Sequence, residues 1–340
     1  MPKLHSNLRF AASVALISVL ALPLASQDSQ SQAPSDDQPT ATFKTGVEIV
    51  QLFFNVKDKH GALIPNLTKD NFEIYEDGKP QTIKYFKAES DLPLTLGILI
   101  DASGSQQHVL GIEQEVGGSF LENTLRPRDM ASVFSFDVDV NLLQDFTGSV
   151  SRLRKALNQV KINSGTGACA NLPGLGGGPI PCPSTGPRGT VLYDAVYVAS
   201  HDAFAQEVGR KAMILLTDGE DQGSRLKIRD AIEAAHKADT ICYVLLIADR
   251  GISMGFGGGD MRKLTAETGG RVIEVGNKFE KLKQAFDQIS QELRSQYNVG
   301  YTPTNTNRDG SFRKVEIKAK GGDYKIQARS GYYAMPRKDQ

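Results

Sequence analysis

Five residues concentrate the chemistry that this chain offers: Asp101, Ser103, Ser105, Thr190 and Asp218. The first three form an Asp-x-Ser-x-Ser turn that closes an uncharged, largely apolar run over 94–100. Asp218 closes a second such run, and Thr190 stands between the two at the head of a helical stretch. Two carboxylates and three hydroxyls are hard oxygen donors, the ligand type of Mg²⁺, Mn²⁺ or Ca²⁺. So little negative charge leaves a divalent cation positive charge to spare, and the shell can take an outside carboxylate as a further ligand. Catalysis finds less support, and the chain reads as no enzyme. Ser103 lies in no Gly-x-Ser-x-Gly elbow, and His60, His108, His201 and His236 are scattered without metal-ligand spacing. Asp137, Asp139, Glu220 and Asp221 read as solvent-facing turn acids. The Gly-rich loop at 251–259 has neither a dinucleotide fingerprint nor a Lys-Ser/Thr pair, and reads as a surface loop.

Those five residues need a scaffold that brings distant turns together. An apolar run without charge is a strand buried on both faces, as in a parallel sheet, and such sheets place ligand sites just past the carboxyl ends of their strands. Strand-like runs at 94–101, 131–136, 211–217, 241–248 and 271–275 alternate with helical spacing at 109–125, 150–160, 190–205, 225–238 and 279–293. The alternation predicts an α/β fold over 91–296, a doubly wound and mostly parallel sheet. A further run at 140–146 pairs with 131–136 around Asp137-Val138-Asp139. Before it, 44–90 alternates with period two (Val47, Ile49, Leu52, Phe54) and turns at Asp77-Gly78, with a third strand expected at 81–86. That module is short to stand alone. The tail 297–340 returns to strand pattern at 298–301, 312–319 and 324–329, and is expected to pair with it as a small β domain built from both chain ends. Tyr297, Tyr301, Tyr324, Tyr332 and Tyr333 read as strand packing.

Composition narrows the setting. Lys+Arg and Asp+Glu are both 39, so no basic excess points to nucleic acid. Lys3 and Arg9 precede an apolar stretch at 11–22 that is too short to span a bilayer, and Ala25 and Ser26 follow it. The first 26 residues therefore read as a cleaved secretory signal, with no membrane segment left after cleavage, and 27–43 as a disordered linker. The mature chain is expected in a periplasm or outside the cell. There, Cys169 and Cys182, which flank a Gly/Pro-rich loop, can form a disulfide, while Cys242 in an apolar strand reads as a buried free thiol.

The ordered pattern Asp-x-Ser-x-Ser … Thr … Asp resembles the metal-ion-dependent adhesion site of the von Willebrand factor type A (VWA) domain, with all five positions present. The surrounding text, Gly189-Thr190-Val191-Leu192-Tyr193-Asp194-Ala195 and Leu215-Leu216-Thr217-Asp218-Gly219, fits as well. The flanks, with Phe72-Glu73-Ile74-Tyr75-Glu76-Asp77-Gly78 before and Gly331-Tyr332-Tyr333-Ala334 after, are similar to secreted bacterial proteins that carry a VWA-related domain. The resemblance implies a Rossmann-like domain over 91–296. It implies that Ser103, Ser105 and Thr190 hold Mg²⁺ (or Mn²⁺ or Ca²⁺), with Asp101 and Asp218 acting mostly through water. The partner it implies is a protein that presents a carboxylate. The insertion at 163–189 departs from the pattern just before Thr190 and bears on the size of that partner. The expected function is a secreted or periplasmic adhesion-type binding module; the alternative is a structural or assembly component of a cell-envelope complex, in which the metal only stabilises the fold.

Overall fold

Two strands that lead into an aspartate become neighbours in the computed structural model, which describes residues 49–88, 92–163, 189–247 and 257–336. The expected signal segment, the linker, the pairing of Cys169 with Cys182, most of the 163–189 insertion and residues 251–256 of the Gly-rich loop lie outside the described residues. The strands are β1 (Val50–Lys57), β2 (Phe72–Glu76), β3 (Lys79–Gln81), β4 (Ile83–Lys87), β5 (Leu94–Asp101), β6 (Met130–Phe136) and β7 (Val140–Thr147). They continue as β8 (Arg210–Thr217), β9 (Thr240–Leu246), β10 (Val272–Glu274), β11 (Tyr297–Tyr301), β12 (Phe312–Ala319), β13 (Lys325–Ala328) and β14 (Gly331–Tyr333). The helices are α1 (Leu110–Thr124), α2 (Val150–Leu157), α3 (Leu192–Val198), α4 (Ile228–Lys237), α5 (Gly257–Thr268) and α6 (Phe279–Arg294).

A six-stranded sheet runs in the order β10-β9-β8-β5-β6-β7, parallel except for the antiparallel edge strand β7. The chain leaves β5 toward β6 and later returns on the other side through β8, so the strand order reverses between β5 and β8. At such a switch point the loops diverge and leave a crevice above the carboxyl ends of the strands. The register pairs Ile100 with Leu216, which sets Asp101 beside Thr217 at that edge.

Both faces of the sheet are covered, as the uncharged strands require. Leu96, Ile98 and Ile100 of β5 face a layer formed by α1, α2 and α6, with Phe120, Leu153 and Phe286 in its core. Leu99, Met213 and Leu215 face the other layer, with Leu192, Val196, Ala235 and Leu264 from α3, α4 and α5. Gly97 is small for a reason, since a Cβ there would lie 2.8 Å from the Phe204 ring. The helix expected to run to residue 205 instead stops at Val198, widens into a π turn over Ala199–Ala203 and tightens over Phe204–Gln206, with Phe204 buried on that glycine.

Strands from the two chain ends make two further antiparallel sheets, β13-β1-β11-β4 and β14-β12-β2-β3. Their inner faces share one core of Leu52, Phe54, Ile74, Tyr297, Val299 and Ile317. The Phe54 ring stacks on Tyr297 with centroids 5.5 Å apart. The single strand expected at 81–86 is split at Thr82. Residues before the break pair with β2 and those after it with β11, because the chain changes sheet at that corner. Tyr301 and Tyr332 each donate to Glu76 Oε2, at 2.7 and 2.9 Å; the Tyr301 bond joins the two sheets, and the Tyr332 bond lies within one of them.

A buried carboxylate joins these sheets to the α/β layers. Glu292 of α6 accepts from Lys57 Nζ at 2.8 Å, Arg271 Nε at 2.7 Å and Gln327 Nε2 at 3.1 Å. At the same end of the sheet, Asp129 accepts from the Leu94 N–H at 2.8 Å, the Arg126 N–H at 2.9 Å and Arg294 at 2.5 Å. Removing one member of such a pair leaves an uncompensated buried charge, which is why these contacts fix α6 firmly.

Candidate metal centre

Ser103, Ser105, Thr190 and Asp218 line one cavity of about 370 Å³ above the switch point. Asp101 does not reach it. That carboxylate is fully buried beneath the turn, where Oδ1 accepts the Ser103 N–H at 3.0 Å and Oδ2 accepts the Thr217 hydroxyl at 2.7 Å. Asp101 thus shapes the Asp-x-Ser-x-Ser turn from below. Burial, reinforced by the nearby Asp218 carboxylate and opposed by the Ser103 and Thr217 donors, pushes its pKa up to about 6.

The donor set fits a small divalent cation on one direct measure. Ser103 Oγ and Ser105 Oγ lie 2.9 Å apart. Adjacent ligands of an octahedral Mg²⁺ with bonds of about 2.1 Å are separated by roughly 3 Å. The two hydroxyls are hydrogen-bonded to each other, and turning the donor's proton aside would let both oxygens face one ion at this spacing. Asp218 keeps one oxygen on the Glu220 N–H at 3.0 Å, and among the described residues its other oxygen has no such bond. Among the described residues no group of three or more His, Cys, Asp and Glu converges, so a nitrogen, sulfur or all-carboxylate centre is not built here.

The Thr190 loop is held by main-chain bonds and by Asp221, an acid that its turn sequence would leave in solvent. The Val191 N–H donates to the Asp137 carbonyl at 2.7 Å, and the Gln222 N–H donates to the Thr190 carbonyl at 2.9 Å. Asp221 and Ser224 accept from the Tyr193 N–H at 3.2 and 3.0 Å, satisfying the start of α3 from a different loop. Asp194 answers by accepting the Arg225 and Leu226 N–H groups at 3.1 and 3.0 Å. Asp221 is therefore a brace and not a free surface charge. Asp137 Oδ1 is spent on the Asp139 N–H at 3.0 Å, an ordinary turn bond that builds no second cation site.

Thr217 and Glu113 were missed in the sequence reading. Thr217 reads as the end of an apolar run, yet its hydroxyl both donates to Asp101 and accepts the Gly219 N–H at 3.0 Å. The Thr217→Val variant keeps the shape and removes both bonds, so it is expected to lose about 2 kcal/mol of stability. It is also expected to weaken Mn²⁺ binding roughly tenfold, the usual cost of losing a group that orients a ligand. Urea unfolding and a Mn²⁺ titration check both numbers. Glu113 of α1 is 0% exposed, and neither carboxyl oxygen has a hydrogen-bond partner. Burial first, and the Asp101 charge second, push it up to about 8. Its signal was present: Leu110, Glu113, Gly117 and Leu121 fall on one helical stripe, which makes the acid the odd member of a buried face.

The chain matches no family model and no curated protein. Several solved structures are similar to it at low identity. Protein BatB of Bacteroides thetaiotaomicron, described as a conserved hypothetical protein, shares 19% identity over 59% of this chain and 100% of its own, with a TM-score of 0.43. A D319A mutant of the PilB minor pilin of Streptococcus sanguinis shares 11% over 61% of this chain and 62% of its own, at 0.44. Proximal thread matrix protein 1 of the mussel byssus, with a zinc-occupied MIDAS motif, shares 14% over 63% of this chain and 48% of its own, at 0.46. The chain thus spans less than two thirds of the pilin and about half of the byssus protein.

Proposed function

We propose that this chain is a VWA-type binding module of the periplasm or cell exterior that uses a divalent cation to grip an acidic group on a protein partner. The observation that carries the reading is the convergence of Ser103, Ser105, Thr190 and Asp218 on one open cavity at the switch point, with Asp101 braced beneath them. Ser103, Ser105 and Thr190 would hold the ion directly, and Asp101 and Asp218 would act mostly through water. Mg²⁺ suits a shell that is poor in carboxylates and keeps waters, with Mn²⁺ and Ca²⁺ as alternatives. Bound there, such an ion supplies a positive charge to which a partner carboxylate can attach.

The chain's own residues do the rest. Gln107, Asn163 and Gln222 offer neutral polar groups around the rim, and the acids Glu220 and Asp137 stand beside them, so a highly acidic partner is met by some repulsion. Among the described residues no helix is long and apolar enough to cross a membrane. The test pairs immobilised protein with short peptides that differ only in Asp against Asn, or Glu against Gln, in Mn²⁺ and in EDTA. Binding that needs both the carboxylate and the ion, and that Ser103→Ala abolishes, is expected. Equal binding of acid and amide peptides, or binding that persists in EDTA, would overturn the reading.

A further inference from the structure

At the opposite edge of the six-stranded sheet, where β8 and β9 begin, a second cavity of about 250 Å³ lies between the α/β layers and β1. Its wall carries Lys211, Arg329 and His236 together with the apolar side chains of Phe53, Val208 and Ile241. None of these residues contributes to the cation centre.

Lys211 is the group that asks for a ligand. It is 9% exposed, and its ammonium donates to two neutral main-chain carbonyls, Phe204 O at 3.3 Å and Glu207 O at 2.9 Å. A lysine carries three N–H donors, so one proton remains beyond these two bonds. A buried ammonium without a bonded counterion is costly, and burial accordingly lowers its pKa to about 8, against an opposing pull from the Glu207 charge. The other acid on the wall, Asp239, is already spent on the Arg329 guanidinium, whose second arm donates to the Gln51 carbonyl at 2.8 Å. His236 is 4% exposed, with a Glu267 carboxylate oxygen 3.9 Å from Nε2 and the Gly331 carbonyl beside its ring. A cavity with unspent donors on one side and apolar walls on the other accepts an amphiphilic anion and not a strongly hydrated one. Its volume is at the small end for ligand sites, which limits the ligand to one ring or a short chain.

We propose that this cavity binds a small organic carboxylate, with its anionic end on Lys211 and its apolar body against Phe53 and Ile241. The test titrates the full chain with benzoate, with benzamide as the neutral probe of equal shape and inorganic phosphate as the hydrated anion. EDTA is present throughout, so that no cation at the Asp101 turn can hold the carboxylate. Saturable benzoate binding is expected, with benzamide and Lys211→Met each weaker by about tenfold or more, the worth of one hydrogen bond to a charged group. Val208 is 85% exposed at the cavity's mouth, so Val208→Glu adds a repelling charge without disturbing the core and is expected to weaken benzoate several-fold. This second variant keeps the test open if Lys211→Met fails to fold. Equal affinity for benzoate and benzamide, binding that neither variant weakens, phosphate binding without benzoate binding, or no saturation at all would each overturn the proposal.

Discussion

At pH 8 the Glu113→Gln variant is expected to be more stable than the parent chain by about 3 kcal/mol, and at pH 4 the gain is expected to vanish. In the unfolded chain this carboxyl titrates near its ordinary value of 4.5, whereas in the fold it is pushed up to about 8. Below about pH 4.5 both states hold the proton and the site costs nothing extra. As the pH rises through the interval up to about 8, the unfolded state ionises while the folded one does not, so folding loses roughly 1.4 kcal/mol per pH unit from this group. Glutamine keeps the shape and cannot ionise, which removes the slope. Its amide inherits the same unpartnered surroundings, so part of the gain is returned, and the figure is set below the full shift for that reason. Urea unfolding of both proteins at several pH values, in EDTA, gives the comparison. His236, whose pKa burial lowers to about 4, gives a slope of opposite sign between about pH 4 and 6.5, so the difference between parent and variant is the readout. A difference that stays constant between pH 5 and 8 would contradict the account of Glu113. Asp101, pushed up to about 6, adds a slope of the same sign at lower pH, and that slope survives in the variant.

Gly270→Ala is expected to be among the most damaging substitutions in the protein, at about 3 kcal/mol or more, because the clash is with backbone. A Cβ at Gly270 would stand 1.9 Å from the Cys242 carbonyl oxygen and 2.7 Å from its carbon. No rotamer change relieves that contact, so either β9 or the turn must move. The turn has little freedom. Gly269 holds φ at +87°, the Gly270 N–H is tied to the Thr265 carbonyl at 2.8 Å, and β10 pairs with β9 two residues later. Moving it pulls β10 from the sheet edge and shifts the end of α5. A loss of this size lowers the unfolding midpoint by roughly 5 °C in a chain of this length. Gly259→Ala, in the same helix–turn unit but with open space at its Cβ, is the matched control and is expected to keep stability or raise it by up to about 1 kcal/mol. Equal melting of the two variants would mean that the approach of the turn to β9 is looser than these distances.

The scaffold was legible because its strands advertise themselves. Runs such as 94–101 and 210–217 carry no alternation, and such a run is stable only between two helix layers, so the buried faces of β5 and β8 followed from composition alone. The Ser and Thr positions were legible because Ser103 and Ser105 follow the end of β5 and Thr190 stands just before α3. What escaped depends on contacts through space. Thr217 gains its role only because β5 and β8 lie side by side in a register that sequence spacing does not state. Asp221 and Ser224 cap a helix that begins far away in the chain, so no local capping pattern marks them. The break at Thr82 follows from a corner between two sheets, and a short strand run looks the same whether or not it turns. Glu113 is different. Its place on the apolar stripe of α1 was readable, and a charged residue in such a stripe is a signal in its own right.

The most direct test of the cation centre is thermal unfolding in EDTA, followed by readdition of Mg²⁺, Mn²⁺ or Ca²⁺, for the parent chain beside Ser103→Ala and Asp218→Ala. An ion at about a hundred times its dissociation constant is expected to add roughly 2.7 kcal/mol to the parent chain and nothing to either variant. No shift with any of the three ions, or the same shift in all three proteins, would contradict the centre and leave the Asp101, Thr190 and Asp218 loops with a purely structural role.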